Sequence, residues 1–522
     1  MKRCSLAHYS VINLKILFIL TLIIFAKRGI SADFKINLQI RYDNGREVNP
    51  GSTHQFPDNQ INRRFFEKIY STERLFTQLP VGDQLRLGFR WLELQPSDVD
   101  AQLYHFEDEH RLDDKIYAQL KLKRWEFWLG DVYETFGRGL TFNLFENRDL
   151  YFDSGLRGGK VTYRKGKLRF KTIYGQSRRW YLVEKERLGG INLEYKPSPG
   201  YNIGGNLVFQ DGLNYDRRYM PGIYGGFEIG PVSLYYEYAQ SRIDNDSTST
   251  NFYLTDIISS GSSKQGDGTF IGLDVYLLGV SAQFNYKYYK FGVDNPFQTP
   301  PIVQREYTTH LMSSHPHLAL IDDQLGFEID LSSAPLDQVI INLNFSRAGR
   351  HDGRKLIPSL NEDFAPFWEL YIEGELYPHD KWSLKLGTGW NEEARSNFWQ
   401  EKVGVFSEAI YSINNYWSFT LTDEIMWIDD LIEDVKYKDY YLSTSVARAP
   451  YGSMNLSYEA SSLDSDVEGD RWLGIELAVN ITGEHRILLF GGRERGGLKC
   501  TSGVCRPVQP FEGFRITYDG RF

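Results

Sequence analysis

The chain has 522 residues, is 15% aromatic and 24% charged, and carries a formal net charge of −9. The acidic balance argues against nucleic acid as a partner, which needs a basic surface. Beyond Asp33 no stretch of 18 apolar residues occurs, so a helical membrane protein is excluded.

The first element is a leader. Lys2, Arg3 and Lys15 supply positive charge, Ile16–Ala26 is an apolar run too short to span a bilayer as a helix, and Ile30-Ser31-Ala32 reads as a cleavage site. A signal peptide over 1–32 is expected, with a mature chain from Asp33. Lys2, Arg3, Lys15, Lys27 and Arg28 leave with it and no acidic residue does. The 59 basic groups then fall to 54 against 68 acidic ones, a net charge of −14. Cys4 leaves too. Cys500 and Cys505 remain as an even pair in an exported chain, which predicts a disulfide.

From Phe34 onward the dominant signal is alternation. Phe34, Ile36, Leu38, Ile40 and Tyr42 interleave with Lys35, Asn37, Gln39 and Arg41, and the pattern returns at Leu85–Trp91, Val280–Tyr288 and Val339–Phe345. Successive strand side chains point to opposite faces, so each such strand has one apolar and one polar face. In chain order, strands are predicted near 34–42, 63–79, 83–94, 112–123, 125–133, 160–165, 167–176, 189–196, 201–210, 221–229, 231–240, 268–277, 279–290, 325–331, 338–347, 366–377, 381–391, 400–412, 416–427, 438–447, 451–460, 471–480, 485–493 and 511–522. Many are long enough for a tilted membrane strand, about 9–11 residues. Connections after even-numbered strands are short, and those after odd-numbered strands are mostly long, as at 43–62, 134–159, 241–267, 291–324 and 494–510. Short periplasmic turns and long external loops have this rhythm. The fold expected is all-β: one antiparallel transmembrane β-barrel of about 24 strands (range roughly 18–26), filling residues 33–522.

The last strand alternates Phe514, Ile516, Tyr518 and Phe522 with Arg515, Thr517, Asp519 and Arg521. This resembles the assembly signal of bacterial outer-membrane barrels, which ends in an aromatic residue. The resemblance implies a bacterial outer-membrane location, with outer-membrane lipid, lipopolysaccharide and the barrel-assembly machinery as partners.

Gly130–Gly159 is too long for a plain hairpin. It carries Asp131, Tyr133, Glu134, Arg138, Glu146, Arg148, Asp149, Asp153 and Arg157 among Phe136, Phe142, Phe145, Tyr151 and Phe152. Its opening, G-D-x-Y-E-x-F-G-R-G-L, is similar to an uncharacterised family of bacterial outer-membrane proteins without an assigned activity. A barrel of this width cannot fill its lumen with wall side chains alone. The 134–159 loop is therefore expected to form a constriction, with Arg138 and Arg157 facing carboxylates across the passage; a packed, salt-bridged external loop is the alternative.

Glu369, Tyr371, Glu373 and Glu375 share one face of a strand and are candidate lumen lining. The loop with His310, His315, His317, Asp322 and Asp323 has metal-ligand residue types without a strict motif. Asp464–Asp470 echoes a calcium loop but has Ile475 where the bidentate Glu belongs. No cofactor is expected, and no enzymatic motif such as G-x-S-x-G or H-E-x-x-H occurs. The function expected is a porin-like channel with a loop-restricted polar lumen, taking a small solute or a polysaccharide. The alternatives are a non-conducting receptor or scaffold of an export, secretion or surface-assembly system, and a membrane-embedded hydrolase.

Overall fold

The computed structural model describes residues 35–47, 66–81, 84–94, 111–147, 152–177, 186–212, 215–244, 262–290, 307, 309–314, 323–395, 398–463, 470–501, 504–508 and 511–522. The signal-peptide segment, Arg148, Asp149, His315, His317, Asp322 and residues 464–469 lie outside the described residues.

Period-2 sequence becomes strand throughout. The first twelve strands are β1 (Lys35–Glu47), β2 (Phe66–Val81), β3 (Leu85–Leu94), β4 (Arg111–Lys121), β5 (Trp125–Val132), β6 (Leu156–Lys165), β7 (Leu168–Ser177), β8 (Arg187–Ser198), β9 (Tyr201–Gly212), β10 (Tyr215–Ile229), β11 (Val232–Asp244) and β12 (Ser262–Leu277). The next twelve are β13 (Val280–Lys290), β14 (Asp323–Leu336), β15 (Val339–Gly349), β16 (Phe367–His379), β17 (Trp382–Arg395), β18 (Phe398–Ser412), β19 (Trp417–Asp430), β20 (Val435–Arg448), β21 (Gly452–Ser461), β22 (Arg471–Asn480), β23 (His485–Glu494) and β24 (Phe511–Arg521). Each pairs antiparallel with its chain neighbours in one 24-stranded sheet. β1 also pairs with β24, from Asn37↔Arg521 to Glu47↔Phe511, so the sheet has no free edge.

The two faces separate as the alternation requires. On β22, Leu473, Ile475, Leu477 and Val479 face outward and exposed, while Trp472 and Ala478 are buried on the lumen side. On β19, Trp417, Phe419, Leu421 and Trp427 are exposed, and Glu424, Met426 and Ile428 are buried inside. Ten residues separate Trp417 from Trp427. At about 3.3 Å per residue and a tilt near 40°, they stand roughly 25 Å apart along the barrel axis, the height of an outer-membrane apolar band. Trp125, Tyr195, Tyr201, Tyr276, Trp382, Tyr416 and Tyr451 are exposed near the short turns, forming an aromatic girdle. The fold is a transmembrane β-barrel.

The predicted strands 63–79, 125–133 and 400–412 all exist, as β2, β5 and β18. Several strands run longer than predicted: β1 continues to Glu47, β10 begins at Tyr215 rather than 221, β12 at Ser262 rather than 268, and β14 ends at Leu336 rather than 331. β6 begins at Leu156 rather than 160, because Gly158 and Gly159 read as loop yet lie in the ladder opposite Gly175 and Tyr174. The 494–510 connection is itself a hairpin, Gly497–Thr501 with Val504–Val508, in which Cys500 stands directly opposite Cys505. The side chains of both cysteines lie outside the described residues.

Candidate functional site

Between β5 and β6 the chain leaves the wall and folds into the lumen. The departure is built at Gly130, which has φ +103° and whose Cβ would stand 2.0 Å from the Ile116 carbonyl oxygen, so only glycine fits. The β4–β5 ladder ends at Tyr117↔Gly130. Asp131 then substitutes for the lost backbone partner, accepting the Ile116 N–H at 2.7 Å. This end of the β4–β5 ladder accounts for the Gly-Asp that opens the segment.

Two short hairpins follow, Thr135–Phe136 with Phe142–Asn143, and Glu146–Asn147 with Phe152–Asp153. The tip is the turn Gly137-Arg138-Gly139. Its Arg138 N–H donates to a Glu237 carboxylate oxygen on β11 at 2.8 Å, and the Tyr235 hydroxyl donates to the same oxygen at 2.7 Å. Gly137, at φ +58°, leaves room for that carboxylate. Phe136, Leu140 and Phe142 are fully buried, with the rings of Phe136 and Phe142 4.7 Å apart. They pack with Leu156 of β6, Ile173 of β7, Leu188 of β8, Val208 of β9, Met220 and Tyr224 of β10, Ala239 of β11, Phe270 of β12 and Tyr289 of β13. The segment thus spans the lumen side from β5 to β13.

Charge fixes its base. Glu146 pairs with Arg90 of β3 at 2.5 Å and with Lys115 of β4 at 3.2 Å. Lys115 also pairs with Asp153 and donates to the Tyr133 hydroxyl, which donates to Asp153 at 3.0 Å. Glu134 pairs with Lys171 of β7 at 2.7 Å and Lys160 of β6 at 3.3 Å. Burial alone would raise these carboxyl pKa values. For Glu134 the Lys160 and Lys171 ammonium groups outweigh it, and for Glu146 Lys115 and Arg90 do, so both lie below the usual carboxylate range. Asp153 is likewise held low by Lys115 against burial. Burial, then the Asp153 and Glu146 charges, push the Tyr133 hydroxyl up.

The predicted residues divide accordingly. Tyr133, Glu134, Glu146 and Asp153 belong to this clamp. Arg138 stands at the tip: its guanidinium lies 4.5 Å over the Tyr235 ring and 5.6 Å from Phe270, and the Glu237 carboxylate that meets it is held by the Arg138 backbone N–H. Arg157 is placed otherwise. It shares the outer face of β6 with Val161 and Tyr163, is 52% exposed, and meets Asp131 at 3.4 Å. Strand parity, which sequence reasoning did not apply there because the strand was begun too late, turns it away from the lumen.

A second infolded piece was missed. Helix α1 (His310–Ser313) buries Leu311 against Met426 and Ile428 of β19, and Met312 against Tyr371 of β16 and Phe406 of β18. The Glu424 carboxylate accepts the backbone N–H groups of His310 and Leu311, both at 2.8 Å. His310 Nε2 is 2.8 Å from Glu459, which shares Arg495 with Asp439. The adjacent apolar pair Leu311-Met312 in a polar loop was the available signal. Asp323 pairs with His351; no His/Cys/Asp/Glu metal cluster occurs among the described residues, which leave out His315, His317 and Asp322.

On β16, Glu369, Tyr371 and Glu373 are buried on the lumen face, and Trp368, Leu370 and Ile372 face out. The Tyr371 hydroxyl donates to Glu373 at 2.8 Å, Asn342 donates to Glu373 at 3.1 Å, and Tyr307 from the second infolded piece lies 5.1 Å from the Tyr371 ring. Glu375, nearer the short turns, accepts from Tyr377 at 2.7 Å. At the seam, Phe514 and Phe522 are exposed, and Tyr518 bonds His485 at 2.8 Å.

Residues 93–220 match a family of unknown function, DUF6029, and this stretch contains the whole infolded segment. No curated protein matches the chain in sequence. Among solved structures, the translocation pore of the P pilus usher PapC is 10% identical with a TM-score of 0.46, over 93% of this chain and 99% of that one. The siderophore receptor PirA from Pseudomonas aeruginosa is 8% identical with a TM-score of 0.43, over 95% of this chain and 81% of that one. The outer membrane protein opdK from Pseudomonas aeruginosa is 9% identical with a TM-score of 0.39, over 76% and 99%. What each moves or binds is a property of that protein.

Proposed function

We propose that this chain is a bacterial outer-membrane channel whose polar lumen is restricted by two segments folded in from the long-loop rim. The observation that carries the reading is the segment 133–155, seated by an apolar cluster and an ion-pair clamp against strands β3 to β13. The outward apolar band with its girdle places the barrel in a membrane, and the alternating last strand fits the outer membrane. Charged and amide groups along the inner faces suit a hydrated path for small polar solutes.

The test is conductance of the mature chain (residues 33–522) in a planar bilayer, beside a variant lacking 134–154. Small or rare steps in the intact chain and large stable steps in the deletion support the reading. Equal conductance in both overturns it.

The thoroughness of the packing favours one second reading, a non-conducting receptor or scaffold. Its mark is a chain that inserts yet never conducts until the segment is removed, and whose stability rises with a polysaccharide or protein partner.

A further inference from the structure

Loop 350–366, between β15 and β16, does not stand above the barrel. On the neighbouring strands Asn285, Lys287, Asn344 and Ser346 are buried on the lumen side. Alternation therefore puts Tyr286, Tyr288, Phe345 and Arg347 on the outer wall. The loop is bonded to that outer wall. The Tyr286 hydroxyl donates to the Leu356 carbonyl at 3.1 Å, and Arg347 donates to the Pro358 carbonyl at 2.5 Å. The Tyr288 ring meets His351 edge-on at 4.2 Å.

The loop has two sides. His351 and Pro358 are buried against the strands, while Leu356, Ile357 and Leu360 are 66%, 60% and 58% exposed. Tyr286 sits four residues inside the end of β13, which at about 3.3 Å per residue and a 40° tilt is roughly 10 Å below that end. Phe284, Phe327 and Phe345 continue the outer face, their rings 6.4 and 5.9 Å apart in sequence. The loop is thus pinned, at Leu356 and Pro358, to the outer face that carries these rings.

Irregular backbone is not found exposed to the hydrocarbon core, so the loop's own chain belongs at the interfacial level or against the wall, with only its apolar side chains reaching the acyl chains. At the apolar stretch the Leu356 and Pro358 carbonyls are bonded to the outer wall and Pro358 has no N–H. Arg354 and Lys355, both exposed, precede the apolar residues and suit the headgroup level.

We propose that loop 350–366 is a strap seated in the membrane, which inserts Leu356, Ile357 and Leu360 among the acyl chains beside β13 and β15. The proposal rests on the transmembrane reading of the barrel. It is tested on the mature chain in liposomes, with Cys500→Ser and Cys505→Ser to leave one label site. A nitroxide is placed at Ile357→Cys, or at Ile475→Cys on the outer face of β22 as reference. Power saturation compares access of oxygen, which partitions into lipid, with that of a water-soluble nickel chelate. Oxygen access exceeding nickel access at both sites is the expected result. Nickel access dominating at 357 while 475 remains lipid-exposed overturns the strap alone. Low access to both reagents at 357, with spin–spin broadening, assigns the surface to a second copy and also overturns it. Nickel access dominating at both sites overturns the transmembrane reading, and the strap with it.

Discussion

Replacing Lys115 with Met removes the centre of the clamp. The Lys115 side chain is 7% exposed and serves Glu146, Asp153 and the Tyr133 hydroxyl together. Arg90 still holds Glu146, but Asp153 keeps only neutral donors, the Tyr133 hydroxyl and the Gly155 N–H. Removing one partner of a buried pair costs about 3–5 kcal/mol. At about 1.4 kcal/mol per tenfold, local opening of the segment becomes roughly 100- to 4000-fold more frequent. Hydrogen exchange reads this directly at Leu144 and Ser154, whose N–H groups donate to Glu134 and Phe145 within the segment. Faster exchange there, with β19 amides unchanged, is expected. Lys115→Arg should retain most of the protection. Exchange at Leu144 and Ser154 unaltered in Lys115→Met would show that charge does not seat the segment.

Acid should loosen the same clamp. Glu134, Glu146 and Asp153 have lowered folded pKa values, so their contribution is fully present above the ordinary carboxylate range, about 4–4.5, and is lost as pH falls through the lowered values; exchange at Leu144, corrected for intrinsic rate, should be flat from neutral pH to about 5 and accelerate below about 4. Phe142→Ala empties a fully buried site and should cost the segment about 3–5 kcal/mol, read as the same protection loss at neutral pH. Gly130→Ala forces a side chain onto the Ile116 carbonyl and should cost about 1–3 kcal/mol or more, seen as a lower unfolding temperature. We also propose that Cys500 and Cys505, opposite each other in their hairpin, form a disulfide, since cross-strand Cα distances of about 4.5–5.5 Å fall within the bridging range; no free thiol in the denatured mature chain before reduction, and two after, is the expected titration.

The barrel was legible because its signal is local. Alternation needs only a few consecutive residues, and the rhythm of short and long connections needs only their lengths. The segment that fills the lumen was legible as an anomaly of length and composition, but its partners were not. Arg90, Lys115, Lys160 and Lys171 stand on four strands, and only the register across those strands brings them to Glu134, Glu146 and Asp153. Arg157 shows the complementary failure: once β6 is begun at Leu156, parity alone sends Arg157 outward. Leu311 and Met312 were passed over because the histidines beside them drew attention to ligand chemistry rather than to an apolar pair seeking a wall.

The ladder between β1 and β24 joins residues nearly a whole chain apart, as in the Gln39 amide that donates to Asp519 at 2.8 Å. Bringing such distant ends together carries a closure entropy of roughly 5.5 kcal/mol beyond the constant term. That step comes late, after both strands exist, and until then each presents a bare edge able to pair with a stranger. Once made, the same ladder removes the ends from which a sheet would fray. Unfolding must then tear a complete seam instead of peeling strands one at a time, so persistence of the folded barrel is governed by a rate rather than by its free energy alone.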